Sequence, residues 1–200
     1  MQAEGRVGVI SASAGTVNPL TTATDGSLFV ANSGGNLTQA ALAGRLFSVA
    51  NQAAVAVTAA LSTTWTGLGI CNPTGSGKLL IVHEFGWAQT VVNPAEGAVG
   101  LMLSTATGFA SALTSRCARW GYATPAAYAD DGATIDTPIL WRICGSTMEG
   151  AITTQPSLPP NIYKIDGGLI LAENRSVLTY HTIGGTASLV FHFVWEEVPA

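Results

Sequence analysis

The sequence predicts an all-β chain, a β-sandwich or jelly-roll-like body preceded by an extended N-terminal arm. Three observations carry that prediction. The final stretch alternates with a period of two, short apolar runs are separated by Gly, Pro and Asn turns, and no helical periodicity is sustained. Residues 187–198 are the clearest element. Leu189, Phe191, Phe193 and Trp195 fall on one side, and Ser188, Val190, His192, Val194 and Glu196 on the other. An aromatic strand of this kind becomes an adhesive edge unless something covers it. It is therefore expected to close the sandwich and to bury part of its surface against identical neighbours.

The remaining elements follow in order. Residues 1–60 contain no Trp, Tyr, His or Cys and are rich in Ala, Gly, Ser, Thr and Asn. Their apolar pieces (Val7–Ile10, Leu28–Val30, Leu46–Phe47) are short, and Thr38–Ala43 is predicted as a brief helix ended by Gly44. This segment is too thin for a core of its own and is predicted to be an arm, with the β domain spanning 61–200. Gly67–Cys71 and Lys78–Trp87 are predicted strands around the turn Asn72–Gly77, the second with Leu79, Ile81, His83, Phe85 and Trp87 on one face. Ala98–Thr105 is the next strand. Residues 106–138 are predicted to be a long excursion with little regular structure. Ile139–Cys144, Leu158–Ile165, Gly168–Leu171 and Ser176–Thr182 complete the set before the last strand.

Composition narrows the function. Hydrophobic residues make up 48% of the chain and charged residues 10%, against about 25% charged in ordinary globular chains. Global disorder is excluded by that hydrophobicity. So few charges imply surface hidden in subunit contacts. The net charge is −4 and the eight Lys and Arg residues form no basic run. Neither nucleic acid nor an anionic membrane is an expected partner. The stretch 46–61 is too short and too polar to span a bilayer. The beginning of the sequence lacks a charged region followed by a long apolar stretch, so a soluble protein kept in the cytoplasm until assembly is expected. Cys71, Cys117 and Cys144 form no CxxC pair and are expected to be free, mostly buried thiols of a reducing compartment.

Chemical motifs are weak. Gly75-Ser76-Gly77-Lys78 is similar to the end of a phosphate-binding loop. Asn72 stands where the first glycine belongs, Leu79 where the metal-binding hydroxyl belongs, and a strand follows rather than a helix. A tight turn with a solvated lysine is expected instead. His83, His181 and His192 lack the clustered histidine–carboxylate spacing of a cupin-type metal site. No Gly-x-Ser-x-Gly elbow is present. Asp130-Asp131-Gly132 with Asp136 lacks EF-hand spacing and is expected at a loop tip, and Glu196-Glu197 is expected to keep the end of the last strand solvated. Trp120, beside Arg116, Arg119 and Tyr122, is the tryptophan expected at the surface, where it suits a protein contact or a sugar platform. The sequons at Asn36 and Asn174 have meaning only on a secretory route. No catalytic, cofactor-binding or metal-binding residue is assigned, and no enzyme is expected.

Thr63–Lys78 with its Asn72-Pro73-Thr74-Gly75-Ser76-Gly77-Lys78 turn, Gly167–Leu171, and the ending Trp195-Glu196-Glu197-Val198-Pro199 together resemble small structural proteins of tailed bacteriophages. The similarity covers residues 45–200 and points to capsid decoration, or cement, proteins. It implies a β-sandwich homotrimer, made in the host cytoplasm and seated on the virion surface. There it would bind the major capsid protein of the same phage and stabilise the shell, with the arm as a clamp, no cofactor and no reaction. The alternatives are a tail or head-fibre component, a carbohydrate-binding virion module built near Trp120 or Tyr122, and a cupin-like metalloenzyme.

Overall fold

A computed structural model describes residues 37–90, 95–147, 161–185 and 188–200. Residues 1–36, which hold most of the expected arm, lie outside the described residues, as do Leu158–Pro160 of one expected strand.

The described chain begins with a five-residue helix, α1 (Thr38–Leu42), where the sequence places one. Ten strands follow: β1 (Leu46–Ala50), β2 (Thr64–Asn72), β3 (Lys78–Gln89), β4 (Gly97–Ser104), β5 (Arg116–Cys117), β6 (Tyr128–Thr134), β7 (Ile139–Thr147), β8 (Asn161–Leu171), β9 (Arg175–His181) and β10 (Leu189–Pro199). They form two antiparallel sheets, β5-β1-β10-β3-β8 and β6-β2-β9-β4-β7. With β5 and β6 set aside, the chain changes sheet at every connection but the β4–β7 one, and β1-β10-β3-β8 faces β2-β9-β4-β7. That order is a jelly roll. The segment between β4 and β7 adds one strand to each sheet at the β1–β2 side.

β10 sits at the centre of the first sheet, paired with β1 along one edge and with β3 along the other. Its alternation gives the single apolar face expected from the sequence, but that face is covered by this chain's own strands and not by an identical neighbour. Leu189, Phe191, Phe193 and Trp195 point inward, none more than 2% exposed. Phe85 packs on Phe191 and Phe193 with ring centroids 6.0 and 5.2 Å apart, and Phe47 packs on Trp195 at 6.0 Å. The second sheet contributes Leu68, Ile70, Val99, Leu101 and Val177 to the same core.

Four expectations need correction. First, the body does not begin at residue 61. The compact unit starts at Leu37, and β1 lies inside the first sheet with Phe47 and Val49 buried. Asn51, just after it, ties the sheets together: its Nδ2 donates to the Gly67 carbonyl (3.2 Å) and its Oδ1 accepts from the Phe191 amide (3.1 Å). The Ala- and Asn-rich composition hides this strand, because burial comes from its partners rather than from its own pattern. Second, residues 106–138 have little regular structure, as expected, but they do supply the short β5 and the edge strand β6. Phe109 from this segment stacks on Trp65 at 6.4 Å and, with Ile135, covers Met102 and Leu178 on the outer face of the second sheet.

Third, Leu79, Ile81 and His83 do not share a face with Phe85 and Trp87. The β3 register shifts between Val82 and Glu84. This bulge at His83 brings Leu80 and Val82 to the core side ahead of it and Phe85 and Trp87 after it. Fourth, Ile165 and Gly168 belong to one strand, not two. Asp166 and Gly167, with φ of 49° and 78°, form an irregularity within β8 rather than a break.

Deleting residues 1–36 removes none of the described elements. The shortened chain is expected to keep one cooperative thermal transition by circular dichroism. Deleting 1–60 removes β1 and the buried Phe47, whose truncation to alanine alone costs about 3–5 kcal/mol, and is expected to abolish that transition. A cooperative fold in the longer deletion would restore the boundary at 60.

Candidate functional site

Side chains on the outer face of the first sheet alternate with the core residues. Ser48 and Ala50 come from β1, His192, Val194 and Glu196 from β10, Glu84 and Gly86 from β3, and Lys164 from β8. Glu84 stands at the centre of this face. Lys164 Nζ ion-pairs with its Oε2, and His192 Nε2 lies 2.8 Å from its Oε1. Partial burial pushes the Glu84 carboxyl up, but the hydrogen bonds and charges of Lys164 and His192 together outweigh it and hold the group below the usual carboxylate range. The His192 ring occupies the space a Cβ at position 86 would take, so any side chain there would displace it. A second group gathers on Glu196, which receives Arg45 Nε and Nη2 at 3.0 Å, with His83 Nε2 at 3.6 Å from its Oε2.

Beside this face, β5 pairs with β1 through Phe47–Cys117 and Ser48–Arg116. An open cleft of about 630 Å³ beside this pair is lined by Ser48, Ala50, Gln52 and His192 together with Thr114, Arg116 and Trp120. Trp120 is 80% exposed. The Arg116 guanidinium carbon is 5.5 Å from its ring centroid. Next to it, Arg119 lies 3.9 Å from the Tyr122 ring centroid and donates to the Leu42 carbonyl at 3.1 Å. The sequence singles out Trp120 and Arg116. It misses Ser48, Gln52 and His192 as their neighbours, because Ser48 and Gln52 fall in the segment assigned to the arm and His192 is 72 positions from Trp120.

The other candidates serve the fold. His181, on β9 in the second sheet, is bonded to Thr147 Oγ1 at 3.0 Å and to the Ile183 carbonyl. The three histidines do not meet, and no cluster of three metal-ligating side chains occurs among the described residues. Asp130 is not at a loop tip. It is buried on β6, where its carboxylate accepts from the amides of Ala110, Asp131 and Gly132 at 3.0, 2.9 and 3.2 Å. Glu197 does not keep the strand end solvated. It is 5% exposed and accepts from the amides of Ala126 and Ala127 (2.9 and 3.0 Å) and from Trp195 Nε1 (3.2 Å). The Gly75–Lys78 turn joins β2 to β3 as expected. Its amides do hold an anion, but it is the chain's own: Glu173 accepts from Gly75 N–H at 3.1 Å and Gly77 N–H at 2.8 Å. The three cysteines are free, with Cys71 and Cys117 buried and Cys144 partly so. Burial pushes the thiols of Cys71 and Cys144 up to about 12 and about 11.

Comparison with known proteins gives no matching family model, no matching curated protein and no matching solved structure.

Glu173 offers a pH test. The Gly77 and Gly75 amides hold its carboxyl below the ordinary value, about 4.3 for glutamate. A depressed folded-state value stabilises the fold above the unfolded value and loses that contribution as pH falls through the folded one. NMR titration is expected to place the Glu173 midpoint below that of the same residue in the unfolded chain, with the Gly75 and Gly77 amide shifts following it. Glu173→Gln is expected to flatten both amide curves in the acid range. Amide shifts that ignore the substitution would remove the contact. For the thiols, the folded protein at pH 8 is expected to leave Cys71 unmodified by a thiol-reactive dye until denaturant is added.

Proposed function

We propose that this chain is a structural assembly protein: a jelly roll that joins copies of itself, as a trimer, and binds the shell of a phage particle to stabilise it. The observation that supports this reading most is one flank of the sandwich. β7 and β8 are the terminal strands of the two sheets on the same side, joined by a hydrogen bond from Arg142 Nη1 to Tyr163 Oη at 3.0 Å. Both carry apolar side chains in solvent: Ile139 (70% exposed), Leu140 and Ile143 on β7, and Ile162 and Ile170 on β8. Among the described residues no strand pairs with the outer edge of either. Two adjacent open edges decorated with isoleucine are an adhesive surface.

The flank suits copies of this chain. Its exposed isoleucines run along both strands, whose charged residues are Arg142, Lys164 and Asp166. A patch that packs against a different patch on the next copy closes into a ring when the rotation permits. A contact of about 1,600 Å² is the standard size for a specific interface. The number three and the shell as partner come only from what the resemblance of the sequence to tailed-phage decoration proteins implies. Repetition by symmetry then converts modest contacts into a high barrier to shell rupture.

Light scattering during size-exclusion chromatography is expected to give three chain masses at micromolar concentration. Ile143→Asp combined with Ile162→Asp is expected to yield a folded monomer, with association weakened at least about tenfold. Antibody labelling is expected to decorate the shell of intact particles. A wild-type monomer at about 100 μM, a concentration at which any Kd of functional size would show, would overturn the assembly reading. Labelling confined to tails would overturn the shell.

A further inference from the structure

The cleft beside β5 lies away from the β7–β8 flank and is not used by the assembly reading. We propose that it binds a saccharide bearing a carboxylate group. Four observations lead there.

Trp120 is the first. Trp65, Trp87 and Trp195 are at most 4% exposed, whereas Trp120 is 80% exposed. Leaving an indole in water forfeits one of the largest burial gains any side chain offers, and a ligand that covers the ring recovers it. The second is rigidity. The Ala118 amide donates to the Leu46 carbonyl at 2.8 Å, the Tyr122 amide to the Arg119 carbonyl at 3.0 Å, and Arg119 to the Leu42 carbonyl. The ring is therefore carried by a hydrogen-bonded turn tied to the body at the two residues just before it, which limits the ordering entropy lost on binding.

The third observation is the lining. Ser48, Gln52, Thr114, Arg116 and His192 place hydroxyl, amide, guanidinium and imidazole groups around the ring. A pyranose needs both kinds of partner, since its C–H face is apolar and stacks on an aromatic ring while its rim of hydroxyls takes donors and acceptors. The volume, about 630 Å³, is within the range of small-molecule sites. The fourth is charge. The cleft lining contains no Asp or Glu, and Arg116 has no ion pair among the described residues. Glu84, which bonds the lining residue His192, is also ion-paired with Lys164. The cleft is thus cationic, and a guanidinium fork matches a carboxylate in two parallel hydrogen bonds.

Full-length protein titrated with trigalacturonate, and separately with the neutral galactotriose, tests this by calorimetry and tryptophan fluorescence. Trigalacturonate is expected to bind saturably with Kd below about 1 mM, and at least about tenfold more tightly than galactotriose. Trp120→Ala is expected to weaken both sugars at least about tenfold, and Arg116→Gln to weaken trigalacturonate alone to the level of the neutral sugar. Both side chains lie at the surface, so the melting temperature of each variant is expected to match wild type and serves as the folding control. The flank variant Ile143→Asp, Ile162→Asp is expected to keep sugar binding, which separates failure of this proposal from failure of the assembly reading. No saturable binding of either sugar, equal affinity for the two, or unchanged affinity in Trp120→Ala would overturn it.

Discussion

The structure depends on the burial of one stripe of side chains, Leu189, Phe191, Phe193 and Trp195, along the inner face of β10. Burial of large apolar and aromatic groups is the dominant favourable term in folding, and here it is concentrated on a strand with partners on both edges. Phe47 from β1 and Phe85 from β3 pack onto it from either side. The second sheet closes over it with residues from β2, β4 and β9. Among the described strands β10 comes last and pairs with β1 and β3, among the first, so the sandwich is complete only when sequence-distant segments meet. Such non-local pairing forms slowly and is cooperative once formed.

With the core fixed, the few charges in the chain are used sparingly. Of twelve acidic residues, Asp130, Glu173 and Glu197 each accept two or more backbone amides. Each pins a segment: Asp130 the chain after β4, Glu173 the β2–β3 turn, and Glu197 the chain entering β6. A buried amide without an acceptor is costly, and a carboxylate satisfies several at once. Glu84 and Glu196 instead organise basic side chains on the outer face of the first sheet. Other charged side chains, among them Arg116, Arg119, Asp131 and Arg175, stand exposed at the surface.

The fold class was legible because period-two alternation in β10, β4 and part of β3 follows directly from strand geometry. The boundary at 60 was not, because β1 is five residues of mixed composition whose burial is conferred by β10 and β5. The facing of β3 failed at His83 since a bulge adds one residue without any mark in the pattern. Glu197 was misread for a related reason: a carboxylate after an aromatic strand looks solvent-directed until amides from 70 positions away arrive to occupy it. Trp120 was legible as a surface residue from its Arg and Gly neighbours. Its cleft was not, since the opposite wall comes from β1 and β10.

Native-state amide hydrogen exchange tests the central claim most directly, because it reads the opening free energy of each strand separately. If the β10 stripe holds the sandwich together, the amides of Phe191–Trp195 and of their β3 partners Val82–Trp87 exchange only through global unfolding, with the dependence on denaturant of the whole molecule. Exchange of those amides through a smaller opening, while β2, β4 and β9 stay protected, would contradict it.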